Sequence, residues 1–345
     1  MAKRNIIEFV SALLLFVLVS WANSTEIAWK FAVTCDSRGS DNGVNTAILG
    51  ELAIEFVNQN VDLVLFAGDQ IAGYSSSQAV LESQLTTWRN TMAAVYNAGI
   101  AVYGVRGNHE YSNNNAVSIP AWNNIFPELP DNGPPGEVNL TYSVIHKNAL
   151  LIGLDQYIDG QIHRVNQTWL NEQLKNNTQP HIFVFGHEPA FKAQHADCLD
   201  DYPAHRDAFW TSIENAGGRT YFCGHDHFYD HARVDNDGDP SNDIHQFIVG
   251  TAGAPLRDWS PFYNGNNSDY IIENISHAKQ YGYLLVEING LDATLTWMGR
   301  VSAGTYIAGD VWNYTAIPEP AALILWTLGS LILVRKRRKN KKVNR

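Results

Sequence analysis

The sequence predicts an α/β fold, a two-sheet β-sandwich flanked by helices, on two observations. Over the first hundred residues short apolar runs alternate with amphipathic ones, the rhythm of parallel strands joined by helices. Further on, apolar runs come in pairs split by Lys147-Asn148 and Asn289-Gly290, which are hairpin signals. In order, residues 27–35 read as a first strand. Residues 45–58 read as a helix, with Ile48, Leu49, Leu52, Phe56 and Val57 on one face. A buried strand over 61–67, a helix over 79–97 and a strand over 100–105 complete a βαβαβ unit. Hairpins are expected over 140–154 and 281–301, helices over 166–176 and 204–216, and strands over 181–185 and 219–223.

The two ends carry a different composition. Lys3 and Arg4 precede an apolar stretch, Phe9 to Val19, and Ala22-Asn23-Ser24 supplies small residues where signal peptidase cuts, so residues 1–24 read as a signal peptide. At the other end Pro318-Glu319-Pro320 leads into an apolar segment, 321–334, and a basic cluster that begins at Arg335. Such a cluster stays cytoplasmic and leaves the body of the chain outside. This end, residues 318–345, resembles the PEP-CTERM sorting signal, which an exosortase-like protease cuts. The expectation is export across the inner membrane to the cell envelope or exterior, the alternative at either end being a plain membrane anchor. Between the ends, residues 25–303 read as one catalytic domain and 304–317 as a linker. Residues 25–317 hold 33 acidic against 14 basic residues, a formal balance of −19, which argues against nucleic acid as a general partner. Cys35, Cys198 and Cys223 allow at most one disulfide, or three buried thiols.

Five apolar runs end in segments rich in donor atoms. These contain Asp36, then Gly68-Asp69-Gln70, Gly107-Asn108-His109-Glu110, Gly186-His187-Glu188 and Gly224-His225-Asp226-His227. The C-terminal strand ends of an open α/β sheet face one crevice, so residues far apart in sequence can meet there. Two Asp, one Asn and three His offer oxygen and nitrogen without thiolate, a set suited to a pair of first-row cations. That set points to metal-assisted hydrolysis of phosphoesters.

Over about residues 36–227 these motifs resemble the calcineurin-like metallophosphoesterases, with some likeness to purple acid phosphatases. The resemblance implies that Asp69 bridges two ions, Fe, Mn or Zn. Asp36, Asp69 and His227 would hold the first; Asp69, Asn108, His187 and His225 would hold the second. It also implies a small phosphorylated substrate, a metal-bound water or hydroxide as nucleophile, and His109 as proton donor to the leaving group. Glu110 could orient that imidazole and Glu188 a metal-bound water or a ligand, or both could equally begin helices. His195, Arg206, Asp207 and His231 either line the cleft or sit on exposed loops.

The chain departs from the family at the first ion. Where relatives have His two positions after the first Asp, this chain has Arg38; where purple enzymes have Tyr three positions after the bridging Asp, it has Ala72. A guanidinium has no lone pair to ligate a metal. Arg38 therefore reads either as a phosphate clamp or as a surface residue paired with Asp41, and Tyr74 as a displaced candidate ligand. The acidic run 235–243 alternates carboxylates, but its Gly238 and Gln246 fall in the wrong places for an EF-hand. It reads as a calcium loop of another kind, using Asp235, Asp237 and Asp239, or as a solvated turn. Gly250 to Pro255 is expected to approach the cleft closely or to form a tight turn. Two other functions remain open: a weakly active metal-binding envelope pseudoenzyme, and an extracellular-matrix scaffold.

Overall fold

Strand β1 (Ala28–Thr34) lies at the centre of the first sheet, flanked by parallel β3 (Leu63–Phe66) and antiparallel β12 (Gly282–Asn289). The computed structural model describes residues 28–259, 263, 265 and 269–316, so the expected signal peptide, 1–24, and sorting tail, 318–345, lie outside the described residues. Between β1 and β3 come the short β2 (Arg38–Asp41) and helix α1 (Thr46–Asn58), which Asn45 caps through its side chain at Ile48 N. The expected helix over 79–97 is two, α2 (Gln78–Thr91) and α3 (Ala93–Asn97), broken at Met92, whose ψ is 8°. They lead into β4 (Ala101–Gly104), parallel to β3. Helices α4 (Asn108–Tyr111) and α5 (Asn115–Ile125) follow.

The hairpin of β5 (Tyr142–His146) and β6 (Ala149–Gly153) begins the second sheet. Helix α6 (Gln167–Lys175), β7 (His181–Phe185), α7 (Pro203–Asn215) and β8 (Thr220–Cys223) come next. Then β9 (Tyr229–Asp235) turns back along β10 (Ile244–Val249), and β11 (Ile271–Ala278) closes the far edge. The first sheet ends in β12, β13 (Asp292–Ser302) and β14 (Thr305–Thr315). The strand orders are β14-β13-β12-β1-β3-β4 and β11-β9-β10-β8-β7-β6-β5.

The expected linker, 304–317, is therefore mostly an edge strand. Its alternate residues Tyr306, Asp310, Trp312 and Tyr314 turn inward, and Asp310 accepts from Tyr229 Oη at 2.8 Å and pairs with His231 at 2.6 Å. The period of two makes this a strand.

The two sheets pack face to face. Phe31 of the first meets Phe183 and Phe222 of the second, with ring centroids 4.9 and 6.3 Å apart. Within β7, Phe183 and Phe185 face this shared core while Ile182 and Val184 face a second one under α6 and α7. Buried on both sides, β3, β7 and β8 read as short apolar runs. All three cysteines are buried free thiols, so the disulfide alternative does not occur. Among the described residues no helix is long and apolar enough to cross a membrane.

Candidate active site

The parallel strands all run toward one end of the sandwich. Asp36 follows β1, Asp69 follows β3 and Asn108 follows β4; His187 follows β7, and His225 and His227 follow β8. Thus the first sheet brings the oxygen donors and the second the imidazoles. Asp36, Asp69 and His225 sit at positive φ, 61°, 53° and 69°, a conformation unfavourable for non-glycine residues. Hydrogen bonds between loops hold them there: Asp36 N to Gly68 O at 3.1 Å, Ser37 N to Asp69 O at 2.9 Å and Gly224 N to His187 O at 2.8 Å. Strain of this kind persists only where its surroundings over-determine it, as at functional sites. Glycine is required at 107, where a Cβ would overlap the Asp69 carboxylate.

The donor atoms converge. Asp36, Asp69 and His187 each present an atom within 4.8 Å of the others. His187 gives Nδ1 to Ala67 O at 2.9 Å, and His227 gives Nδ1 to Pro255 O at 2.9 Å. Each backbone carbonyl fixes a tautomer whose Nε2 lone pair faces the site, as metal-ligating histidines require. His187 Nε2 stands 3.4 Å from Asp69 Oδ1 and 3.1 Å from Asn108 Oδ1; His227 Nε2 stands 3.4 Å from Asp36 Oδ1. Asp36 Oδ1 is buried and has no hydrogen-bond partner. His225 turns Nδ1 to Asn108 Oδ1, at 3.2 Å, and Nε2 to Asp197, at 3.4 Å. Burial alone would depress the His225 pKa, but Asp197, Glu188 and Asp226 outweigh it and raise it to about 9. An orphaned carboxylate oxygen among lone pairs of fixed direction fits a pair of cations.

Above these atoms opens a cleft of about 470 Å³, lined by His109, Tyr74, Arg38, His195, Asp197 and Arg257 among others. His109 is tied through Nδ1 to Ala72 O at 2.5 Å, and its Nε2 faces Asp69 Oδ2 at 3.7 Å. Tyr74 stacks edge-on against that ring and meets Asn108 Nδ2 with its hydroxyl at 2.5 Å. Arg38 does not pair with Asp41, whose carboxylate is taken by Thr46 at 2.6 Å; its Nη2 lies 3.2 Å from His227 Nε2.

Several expected roles are different in the structure. Glu110 does not touch the His109 imidazole. It accepts from the backbone N–H of Gly107 (2.7 Å), Asp69 (3.0 Å) and Ile71 (3.0 Å), clamping the loops after β3 and β4 together. Burial, then the Asp69 charge, push Glu110 up to about 8 against those three donors. Glu188 is fully buried and pairs with His163 at 2.6 Å instead of reaching the cleft. Arg206 is buried against Asp200 and Asp207, and His231 sits between Asp310 and His245; neither lines the cleft. Residues 250–255 do approach it: Ala252 and Ala254 donate to Cys35 O and Asp36 O, each at 2.8 Å.

Sequence reasoning missed four further parts. Asp226 accepts from the backbone of Gln194 and His195 and from His195 Nδ1, at 2.9, 3.1 and 2.5 Å, fixing the loop over the cleft. Arg257 meets His195 Nε2 at 2.6 Å. Asp197 is a half-exposed carboxylate at the rim. Arg106 and Asp155, both fully buried, form a two-bonded ion pair at 2.7 and 3.1 Å that anchors the loop carrying Asn108 to the second sheet. The charged residues beside Asn108 and inside the His-Asp-His segment were the only available signals.

In the acidic run, Asp235, Asp237 and Asp243 bring carboxylate oxygens within 4.8 Å of one another. Asp239 is not among them: its Oδ1 accepts from Ser241 N at 2.9 Å.

No curated protein matches the sequence. Solved structures resemble it in fold. A purple acid phosphatase from yellow lupin seeds matches at TM-score 0.65 and 13% identity over 84% of this chain and 54% of the lupin one, so this chain spans about half the length of that enzyme. GAP50, the anchor in the inner membrane complex of Plasmodium, matches at 0.56 and 12%, over 85% and 89% of the two chains. A dimetal phosphatase from Danio rerio matches at 0.53 and 14%, over 84% and 99%. The model of the calcineurin-like phosphoesterases matches residues 39–229, more than half of the sequence and the span that runs from Arg38's neighbour to beyond His227. The chain belongs to that family of metal-dependent phosphoesterases.

Proposed function

We propose that the chain is an exported two-metal hydrolase of small phosphomonoesters or phosphodiesters. The observation that carries this reading is the clustering of Asp36, Asp69 and His187, with the Nε2 of His187 turned to Asp69 and Asn108 and that of His227 turned to Asp36. Asp36, Asp69 and His227 would hold one ion and Asp69, Asn108, His187 and His225 the other. When bound, such a pair lowers the pKa of a bridging water and neutralises charge on the phosphoryl oxygens.

The side chains do the rest. Arg38 and Arg257 offer guanidinium N–H groups to the substrate phosphate from the wall of the cleft. His109, held through Nδ1 by Ala72 O, directs Nε2 to the leaving oxygen and gives it a proton. Glu110 keeps the bridging carboxylate and that imidazole at fixed separation, because it binds the backbone of both their loops. Export rests on residues 1–24 and 318–345, read as substrates for signal peptidase and an exosortase-like protease.

Arg38 favours a second reading. Its guanidinium borders His227 Nε2, where the first ion belongs, so the chain could be a weakly active metal-binding envelope protein or matrix scaffold. Metal content, measured beside turnover of a chromogenic monoester and diester, separates the readings. About two ions per chain with turnover lost on chelation is expected; a metal-loaded chain with no turnover of either ester would sink the hydrolase reading.

A further inference from the structure

We propose that the loop joining β9 to β10 binds one calcium ion through Asp235, Asp237 and Asp243, apart from the catalytic centre. Three oxygens no more than 4.8 Å apart leave a point within about 2.8 Å of all of them, where a cation can sit. Calcium–oxygen distances are about 2.3–2.6 Å, so small side-chain movements close the site.

The carboxylate of Asp243 is the independent pointer. It is only 1% exposed, and neither of its oxygens has a hydrogen-bond partner. Arg233 Nη1 approaches one of them at 3.3 Å, but that guanidinium also serves Glu273, at 2.8 Å. Arg219 turns away from the carboxylates and donates to the backbone carbonyls of Pro240, Ser241 and Asp243. A buried carboxylate with no hydrogen bond and only a shared guanidinium beside it is costly unless a second cation completes it. Beside them Asn242 gives its Nδ2 to Asp237 Oδ2 at 3.0 Å, while its buried Oδ1 has no partner.

The chemistry differs from that of the catalytic centre. All the donors here are oxygen, with no imidazole, which suits a hard cation with a flexible coordination shell. Position sets the consequence. Asp235 ends β9 and Asp243 precedes β10, so the ion closes the hairpin where Val234 pairs with Ile244. The catalytic His227 lies beyond the other end of the seven-residue β9, roughly 20 Å away at ~3.4 Å per residue. Calcium here braces the fold and takes no part in the reaction.

The test uses the full-length chain stripped by chelator, with unfolding midpoints read in 5 mM calcium, in 5 mM magnesium and without either. With a Kd of about 10⁻⁴ M, calcium should raise the midpoint by about 5 °C and magnesium by much less. Asp237→Asn and Asp243→Asn should abolish the rise, and Asp69→Asn, which disables only the catalytic centre, should keep it. Equilibrium dialysis should count one calcium per chain in Asp69→Asn and none in Asp69→Asn/Asp237→Asn. Asp237 is exposed, so its variant decides the matter even if Asp243→Asn does not fold. The proposal is overturned by no rise in the parent, by a rise that survives Asp237→Asn, or by one that disappears with Asp69→Asn.

Discussion

Replacing Arg38 by His should tighten binding of the first catalytic ion at least tenfold while weakening the substrate. Arg38 Nη2 stands 3.2 Å from His227 Nε2. An ion ligated by that nitrogen would lie about 2.0–2.1 Å from it, so guanidinium and ion claim the same space and the arginine must withdraw. Even at a separation of about 6 Å, a unit charge opposes a divalent ion by about 5 kcal/mol at an effective dielectric of about 20. The Asp36 and Asp69 carboxylates and solvent screen most of this, and a residue of about 1.4 kcal/mol is already tenfold. Histidine removes the charge and adds a lone pair at the family's usual spacing. The assay is metal content by elemental analysis in buffers of fixed free Mn²⁺, together with kcat/KM for an aryl phosphate. Arg38→Ala, which removes the charge without adding a ligand, should gain part of the metal affinity and raise KM. Arg38→Lys should keep the weak metal binding yet recover little kcat/KM, because a point charge replaces a planar fork. If neither Arg38→His nor Arg38→Ala changes metal affinity or kinetics, residue 38 does not act on the site and the placement of the first motif is wrong.

Three further outcomes can be checked directly. Asp69→Asn should leave fewer than one ion per chain and abolish turnover, because in the proposed site both ions would share that carboxylate; full activity in the variant, measured metal-free, ends the two-metal reading. His109→Ala should retain its metals and lose ~10²-fold or more in kcat for an alkyl leaving group but far less for an activated aryl one, whereas equal losses would reassign His109 to structure. Asp155→Ala should lose about 3–5 kcal/mol in urea unfolding, since it strands the buried Arg106 guanidinium, and a loss under about 1 kcal/mol would mean that the pair is dispensable.

The architecture was legible in the sequence wherever burial on both faces or a tight turn left a mark. The apolar runs ending at Phe66, Phe185 and Cys223 are unbroken, and Lys147 and Gly290 mark hairpins through positive φ. The donors at those strand ends were legible for the same reason, each standing next to the punctuation of its strand. The edge strand β14 was not, because its inward aromatics Tyr306, Trp312 and Tyr314 are broken by the exposed Ala308 and the charged Asp310, so the alternation is lost midway. Helix α2 was overextended through Met92 because hydrophobic period does not register a change of ψ at one residue. Asp197, Asp226 and Arg257 act through loop conformations that put partners 28 to 62 positions apart into contact, as with His225 and Asp197 or Arg257 and His195. Local pattern carries no record of such pairs. Nor does it foresee that Asp36, Asp69 and His225 adopt left-handed backbone, since only neighbouring loops make that tolerable.

That each sheet supplies only half of the donors has a consequence for biogenesis. A folding intermediate with one sheet formed offers only the oxygens of Asp36, Asp69 and Asn108 or only the imidazoles of His187, His225 and His227, and on the proposed ligand set would hold the ions weakly. Firm metal capture would then follow docking of the sheets, as a late step in maturation. The compartment in which the sandwich closes, and the cations available there at that moment, therefore select the metal as much as the ligands do. Material refolded or overproduced elsewhere can carry the wrong ions in a correct fold.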